Sequence, residues 1–454
     1  MATSADRMAQ GLNLAKFAKA TDLKKRLWFT IGALIVFRLL SYVPLPGIDP
    51  TALGLLNQQT QGGVLDFFNT FSGGALSRMS LIALGIMPYI TASIVVQLAT
   101  SLSPTLGAIK KEGESGRKRL NQYTRYGTVG LTAIQGYFIA VGLEALGATQ
   151  GVQAVIEPGI TFRVAAVISL VGGTMFLMWL GEQITSRGIG NGVSLIIMAG
   201  IVASLPTTLV QLLEGGRSGS LDPIRIIGIV LLVIALVLFI CFMERAQRRI
   251  LIQYPKRQTQ RGMQADRSHL PLKINTAGVI PPIFASSLLL MPLTVSQFAG
   301  QRIAGESAWG DFIIGLNQYL QHGQPLYMLL YGAGIIFFSF FYTAVVFNPE
   351  ETAENLKRYG GFVPGIRPGK NTETYFDYVL TRITVIGAAY LTTICLLPEY
   401  ITAALGIPFL LAGTSLLIVV NVTMDTVTQI QSHLLAHQYG DLIKKAKLKG
   451  GRLR

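Results

Sequence analysis

The sequence predicts an all-α polytopic membrane protein with ten transmembrane helices. Of its 454 residues, 50% are hydrophobic and only 13% are charged, whereas soluble domains carry about 25% charged residues. The apolar residues fall into blocks of about 20, the number that a helix needs to cross a hydrocarbon core of ~30 Å. The predicted spans are residues 27–43, 79–100, 127–147, 164–181, 189–210, 224–243, 274–293, 325–347, 378–397 and 403–424.

The polar residues 1–26 and the distribution of basic residues predict the orientation of the spans. Residues 1–26 lack an apolar core followed by a cleavage site, so we expect no removable signal peptide and a first span that anchors the chain. Of the 38 lysines and arginines, 31 lie in the termini and alternate loops on one side, and two lie in the remaining loops. Because basic loops stay cytoplasmic, both termini are predicted to be cytoplasmic.

The stretch between the first two spans is unusually apolar for a loop. Residues 62–78 read GGVLDFFNTFSGGALSR, which is too short to cross the membrane. A re-entrant helix is allowed at membrane depth only where protein buries it or where it lines a cavity. The alternative is a helix that lies on the outer leaflet, and the residues alone leave both open.

Arg38, at the end of the first span, could extend its side chain to the membrane interface.

Prolines occur inside two of the predicted spans. The stretch GIMPYI at 85–90 contains one proline, and AGVIPPIFASS at 277–287 contains two. Proline in mid-helix removes a backbone hydrogen bond and kinks the helix, so these spans are expected to hinge and to line a path. Aliphatic side chains on such a path can form a dry constriction that holds back ions. Isoleucines more often face lipid or a neighbouring helix, however, and the spacing does not show that they converge.

The formal charge of +15 is concentrated on the predicted cytoplasmic side, where loops 244–273 and 348–377 carry eight and four of the lysines and arginines. Its simplest interpretation is topology together with attraction to anionic lipid headgroups. A second interpretation is a docking surface for a large acidic or nucleic-acid partner. The loop FVPGIRPGK at 362–370 is the most unusual part, because two prolines stiffen a tip that carries Arg367.

The sequence predicts no energy source, catalytic residue, metal or cofactor of its own. Gly369-Lys370 is followed by Asn371 and lacks the glycine spacing of a nucleotide-binding loop. Few carboxylates lie within the spans, which argues against proton or sodium coupling. His433 and His437 have the spacing of a metal pair, but two histidines alone do not complete a tetrahedral site. These observations argue against an ATPase and against an ion-coupled solute transporter.

Seven motifs in chain order resemble the bacterial SecY family of protein-conducting channels. The resemblance covers almost the whole chain, from about residue 12 to the end. The motifs are FNTFSGGALSR, GIMPYITASI, PTLGAIKKEGESGRKRLNQYTRYGT, GTMFLMWLGEQITSRGIGNGVSLI, LPLKINTAGVIPPIFASS, FNPEETAENLKRYGGFVPGIRPGK and GTSLLIVV.

The resemblance implies two five-span halves, related by inverted pseudo-symmetry, around a central pore. Here the halves would be residues 27–210 and 224–424, joined by an external connection at 211–223 and followed by a cytoplasmic tail at 425–454. A short re-entrant plug helix at about 62–76 would seal the closed pore. The implied plug residues are Val64, Leu65, Phe67, Phe68, Phe71, Gly73 and Gly74.

The resemblance also implies a ring of aliphatic side chains at the narrowest point of the pore and a lateral gate to lipid. The implied ring residues are Ile86, Ile90, Val193, Ile197, Ile283 and Ile418. Gln97, Gln135 and Asn275 would be polar members of the gate, between spans two and three and spans seven and eight. Val193 is smaller than the isoleucine usual in the family, and Pro282 replaces a small residue, so the tightness of the seal stays open.

The implied function is a channel and not an enzyme. Unfolded secretory polypeptides and signal peptides would enter it, and membrane segments would leave it sideways into the lipids of a bacterial plasma (inner) membrane. The implied partners are SecE and SecG, the SecA ATPase, and a ribosome whose RNA would contact the basic loops. Arg367 matches the family's partner-contacting arginine, and the other implied docking residues are Arg248, Arg249, Lys256, Arg257 and Arg261.

Two rival classes make different demands on the sequence. A small-solute transporter needs a charged or coordinating cluster at the membrane midplane, where this sequence offers mainly aliphatic residues. A membrane scaffold without a pore agrees with the missing energy source but has no need for proline-containing spans or for a buried outer helix.

Overall fold

A computed structural model of the protein describes residues 21–49, 69, 72–150, 155–219, 222–254, 257–259, 262–264, 267–289, 319, 324–405 and 413–450. The helices are α1 (Thr21–Leu40), α2 (Met87–Leu102), α3 (Pro104–Lys111), α4 (Glu114–Gln150), α5 (Ile160–Arg187), α6 (Gly192–Arg217), α7 (Pro223–Arg245), α8 (Ile280–Leu289), α9 (Pro325–Val346), α10 (Pro349–Arg358), α11 (Lys370–Leu405) and α12 (Gly413–Gly450). The strands are β1 (Gln247–Gln253), β2 (Arg257–Thr259), β3 (Gly262–Gln264) and β4 (Arg267–Lys273).

Each predicted span corresponds to one helix in chain order, and these helices are α1, α2, α4, α5, α6, α7, α8, α9, α11 and α12. The last predicted span, 403–424, also includes the final three residues of α11. Six of the described helices are long and apolar enough to cross a membrane. The α2–α3 pair, bent by 101° at its break, adds a seventh if it is counted as one span. The predicted class, an all-α polytopic membrane protein, is confirmed.

The prolines begin helices instead of kinking them, which corrects the sequence prediction. Residues 79–86, predicted as the start of the second span, form turns, and α2 begins at Met87 with Pro88 in its first turn. In the same way, α8 begins at Ile280, directly before its two prolines. Proline suits the first turn of a helix because the N–H that it lacks would have no intrahelical acceptor there. Gly85, with a φ of +57°, lies in the turn before α2 and is suited to this left-handed conformation.

The loop at 244–273, for which the sequence analysis predicted no secondary structure, folds as a β-hairpin. β1 and β4 pair antiparallel from Gln247 opposite Lys273 to Gln253 opposite Arg267, and β2 pairs with β3. At the base of the hairpin, the N–H of Ile274 donates to the carbonyl of Ala246 at 3.1 Å. The hairpin is therefore closed where α7 ends.

The hairpin, α10, the tip at 359–369 and the start of α11 pack into one unit, which we call the basic module. Gln253 and Phe362 exchange two backbone hydrogen bonds of 2.9 Å, which attach the tip to β1. A small hydrophobic core holds the parts together. Its buried members are Ile250, Leu272, Ala353, Val363, Phe376, Val379, Leu380 and Ile383. The two basic loops predicted separately are thus one structural unit.

The last two membrane helices are longer than predicted. α11 continues to Leu405, through the residues 398–402 that were predicted to form a loop, and α12 continues through the predicted tail to Gly450. Leu434 on α12 is buried against Leu23 of α1 and Ile189 of the α5–α6 connection. This contact gives the helix an apolar partner beyond its predicted span.

The α5 helix packs directly on the turns that precede α2. Gly173 of α5 lies against the carbonyl group of Leu81, so closely that an added Cβ would collide with that oxygen. The neighbouring Gly172 has nothing within 4 Å of the same position. The absence of a side chain at Gly173 therefore allows α5 to approach residues 79–86.

Gly173→Ala is expected to destabilise the protein by ~1–3 kcal/mol, because the new methyl group would displace the backbone at Leu81. Gly172→Ala is the matched control and should be neutral or slightly stabilising, since alanine favours a helix more than glycine does. Thermal unfolding of the purified variants in detergent measures the difference. Equal melting temperatures for the two variants would contradict the close contact.

Candidate functional site

A cavity of about 470 Å³ lies between α2, α4, α5, α6 and α8. Part of its wall is aliphatic and aromatic, and part is polar and charged. The lining residues are Tyr89, Ile90, Ser93, Gln97, Asn121, Thr124, Arg125, Glu182, Thr185, Ser186, Asn191, Val193, Ser194, Ile197, Ile280, Ile283 and Phe284. Helices from both predicted halves of the chain therefore share one cavity.

The aliphatic wall contains much of the predicted ring. Ile90, Val193, Ile197 and Ile283 line the cavity. The other two predicted ring residues, Ile86 and Ile418, are 4% and 1% exposed and belong to the hydrophobic core on which this wall is built. The structure thus brings side chains of α2, α6 and α8 to a common space.

The start of α6 explains how its residues reach the cavity. The Asn191 side chain caps the helix, and its Oδ1 accepts hydrogen bonds from the N–H groups of Val193 at 3.1 Å and Ser194 at 3.4 Å. This cap satisfies two N–H groups that a helix start leaves without a partner. Val193 and Ile197 are four residues apart, so they lie on the same face of α6.

The charged wall was missed by the sequence analysis. Nη2 of Arg125 on α4 lies 2.7 Å from each carboxylate oxygen of Glu182 on α5. Both side chains are more than 40% exposed, so water reaches this part of the cavity. The sequence did contain a signal for this pair. Arg125 lies just before the predicted span 127–147, and Glu182 lies just after the next span, 164–181. Because consecutive spans run in opposite directions, these two positions lie on the same side of the membrane.

The described end of the predicted plug is buried in protein. Ser72 and Ala75 are 4% and 0% exposed. These residues are therefore enclosed by protein and do not lie on the surface of the outer leaflet. Gly73 and Gly74 have φ angles of +67° and +80°, which favour glycine. The predicted plug residues Val64, Leu65, Phe67, Phe68 and Phe71 lie outside the described residues.

The predicted gate residues occupy three different environments. Gln97 lines the cavity, and Gln135 is buried on α4. Asn275 donates from Nδ2 to Oε1 of Glu244 on α7 at 2.6 Å and to the carbonyl of Gly278 at 3.2 Å. Asn275 therefore fixes the turn between the hairpin and α8 to the end of α7.

The docking residues predicted on the basic module are exposed wherever their side chains are described. Arg367 lies at the tip, and Arg248 and Arg249 lie on β1. The carbonyl of Arg367 accepts a hydrogen bond of 3.0 Å from the hydroxyl of Thr372, which ties the tip to α11. Lys256, Arg261 and the side chain of Arg257 lie outside the described part of the chain.

Sequence comparison decides the family. The model of the SecY family matches residues 80–427. The Protein translocase subunit SecY of Escherichia coli (strain K12) is 55% identical over 430 residues, which are 94% of this chain and 96% of the relative. This chain belongs to the SecY family.

Solved structures agree with the SecY assignment at the level of the fold. One is described as showing that the plug domain of the SecY protein stabilises the closed state of the translocation channel and maintains a membrane seal. It matches with a TM-score of 0.62 and 19% identity over 90% of this chain and 92% of its own. The second is Sec61 in the canine ribosome–channel complex from the endoplasmic reticulum. It matches with a TM-score of 0.63 and 17% identity, and it covers 90% of this chain and 92% of its own.

The cavity is expected to be open to water in the SecY-family channel, and cysteine labelling tests this. In a background without Cys241 and Cys395, Ser194→Cys should react with a water-soluble maleimide, because Ser194 lines the cavity. Leu195→Cys should not react, because the neighbouring Leu195 is 3% exposed. Mass spectrometry gives the labelled fraction. Equal labelling of both cysteines would contradict the described wall.

Proposed function

We propose that this chain is the channel subunit of a protein translocase. It would conduct unfolded secretory polypeptides across the membrane and release hydrophobic segments sideways into lipid, as a channel and not as an enzyme. The observation that carries the proposal is the convergence of aliphatic side chains from α2, α6 and α8 on one cavity in a SecY-family chain.

The proposed constriction is the ring Ile86, Ile90, Val193, Ile197, Ile283 and Ile418. A narrow aliphatic passage blocks ions because water and ions leave it, with no need for charged groups. The same side chains make no specific demand on a passing polypeptide, so chains of any sequence can be accommodated. This property suits a protein channel better than a solute transporter, which must coordinate one substrate.

The plug is proposed to be the segment at about 62–76, closing the passage when no polypeptide is present. Burial of Ser72 and Ala75 supports this, because non-helical backbone within a membrane protein requires enclosure by protein. The lateral exit is proposed to lie between α2 and α8, which face the same cavity. Gln97 would be a polar residue of this exit, with Gln135 and Asn275 as further members.

The energy for transport is proposed to come from a partner at the basic module. Arg367 on the tip and Arg248 and Arg249 on β1 are exposed cations on a single packed unit, with Lys256, Arg257 and Arg261 proposed to extend the same surface. SecA would push polypeptides through, and ribosomal RNA would be attracted to these cations. SecE and SecG are the proposed small subunits of the channel.

The proposed location is the plasma (inner) membrane of a bacterium, with both termini in the cytoplasm. The distribution of basic residues supports this orientation, because loops rich in lysine and arginine are retained on that side. The proposed halves are residues 27–210 and 224–424, joined by 211–223 on the outer side, and residues 425–454 form the proposed cytoplasmic tail.

Arg367→Glu is expected to reduce the initial rate of transport by tenfold or more, because the exposed cation at the tip becomes an anion. Proteoliposomes with SecE, SecG, SecA and ATP are given a precursor protein, and its protection from added protease is measured. Arg358→Glu is the matched control, an exposed arginine of α10 in the same module. Equal rates for both variants would remove Arg367 from the docking surface, and no protection with the unaltered chain would contradict the channel itself.

Ile90→Asn is expected to increase the ion conductance of the resting channel, because an amide retains water in an aliphatic constriction. Ile90→Leu keeps the apolar volume and should leave the conductance near that of the unaltered chain. Conductance is measured in planar bilayers that contain the channel without a polypeptide substrate. A conductance that does not change in Ile90→Asn would contradict a seal at this position.

A further inference from the structure

Two arginines converge on one backbone carbonyl group at the turn that ends the proposed plug. Nη1 of Arg38, at the end of α1, donates to the carbonyl oxygen of Gly73 at 2.6 Å, and Nη2 of Arg78 donates to the same oxygen at 3.0 Å. The Arg38 side chain thus turns inward to the protein, although the sequence also allowed it to reach the interface. A carbonyl oxygen has two lone pairs, and here both arginines use them.

The ring of Tyr42 holds the two guanidinium groups in place. The Cζ atoms of Arg38 and Arg78 lie 5.0 Å and 4.3 Å from the ring centroid, within the range of cation–π attraction. Nη2 of Arg38 also donates to the Tyr42 hydroxyl at 3.1 Å, and Nε of Arg78 donates to the carbonyl of Ser41 at 3.2 Å. Each arginine therefore contacts the turn and also contacts Ser41 or Tyr42, which directly follow α1.

The turn itself is pressed against α6. A Cβ atom at Gly73 would lie 3.1 Å from Cα of Gly200 and 3.3 Å from its carbonyl oxygen. Asn69 lies just before the turn, and its side chain accepts a hydrogen bond of 3.0 Å from the N–H of Ser77. The turn is thus held between α1 and α6, the second of which contributes Val193 and Ile197 to the cavity.

We propose that Arg38 and Arg78 are positioning residues that hold the C-terminal end of the plug in the closed channel. The inference rests on the proposed function, because it assigns a role within the plug. A plug can leave the pore only by moving relative to the helices around it. Two charge-assisted hydrogen bonds to Gly73, stronger than neutral ones, hold this turn in place and favour the closed position.

The test measures the seal and the transport separately. Arg38→Ala, Arg78→Ala and the double variant are reconstituted with SecE and SecG, and ion leak is measured without substrate. Each single change should raise the leak about tenfold, the population shift that corresponds to one lost charged hydrogen bond. The double variant should raise the leak by less than the product of the two single effects, because both arginines share one carbonyl and one ring.

Three further variants and a stability measurement separate positioning from folding. Arg225→Ala removes a half-exposed arginine from the first turn of α7 and should leave the leak unchanged. Arg78→Lys keeps the charge but loses the fork that reaches Ser41 and Gly73 together, so it should restore the seal only in part. Tyr42→Leu removes the shared ring and the hydroxyl that accepts from Arg38 but leaves both hydrogen bonds to Gly73, so it should give a smaller rise in leak. Melting temperatures identify any variant whose leak reflects unfolding.

The outcomes distinguish the inference from the proposed function. A raised leak together with normal SecA-driven protection of a precursor supports both. A leak equal to that of the unaltered chain in all arginine variants, with transport intact, overturns the positioning role and leaves the channel. A raised leak in the arginine variants, together with an unaltered chain that does not protect a precursor, supports a pore that the arginines keep sealed. The same result contradicts the translocase assignment.

Discussion

The structure depends on one constraint: backbone that is not helical must be enclosed by protein when it lies within a membrane protein, because lipid offers no hydrogen-bond partners. Residues 72–86 are the place where this constraint is most demanding. Their burial requires close approach by α5, through Gly173, and by α6, through Gly200. It also requires polar partners for the turn, which Arg38 and Arg78 supply. Tyr89 and Ile90, in the first turn of the helix that follows this segment, line the cavity.

The helical fold could be read from the sequence, because span length and hydrophobicity are properties of single segments. The errors arose where one segment depends on another. Pro88 was expected to kink a helix and instead begins one, since residues 79–86 find their hydrogen bonds in turns. The β-hairpin at 247–273 was not predicted, because its apolar residues are few. They become a core only when Val363 and Phe376 join them.

The candidate site was predictable mainly through resemblance. Composition alone left the isoleucines facing either lipid or one another, and the structure brings four of the six proposed ring residues to one cavity. The pair Arg125–Glu182 was missed because its members are 57 residues apart and belong to different helices. The resemblance assigned Asn275 to the gate, and the structure adds hydrogen bonds from its side chain to Glu244 and to its own turn. Polarity identifies a buried side chain that needs a partner, but it does not identify the partner.

The fixed base of the β-hairpin has a mechanical consequence. The hydrogen bonds Ile274–Ala246 and Asn275–Glu244 clamp the chain a few residues before α8 begins. α11 begins in the basic module and continues to Leu405, so the module is joined to the membrane helices through α11 as well as through this clamp. The hydrogen bonds between Phe362 and Gln253 tie the tip that carries Arg367 to β1. A displacement of the tip would therefore also displace β1, which is joined through the clamp to the turn before α8.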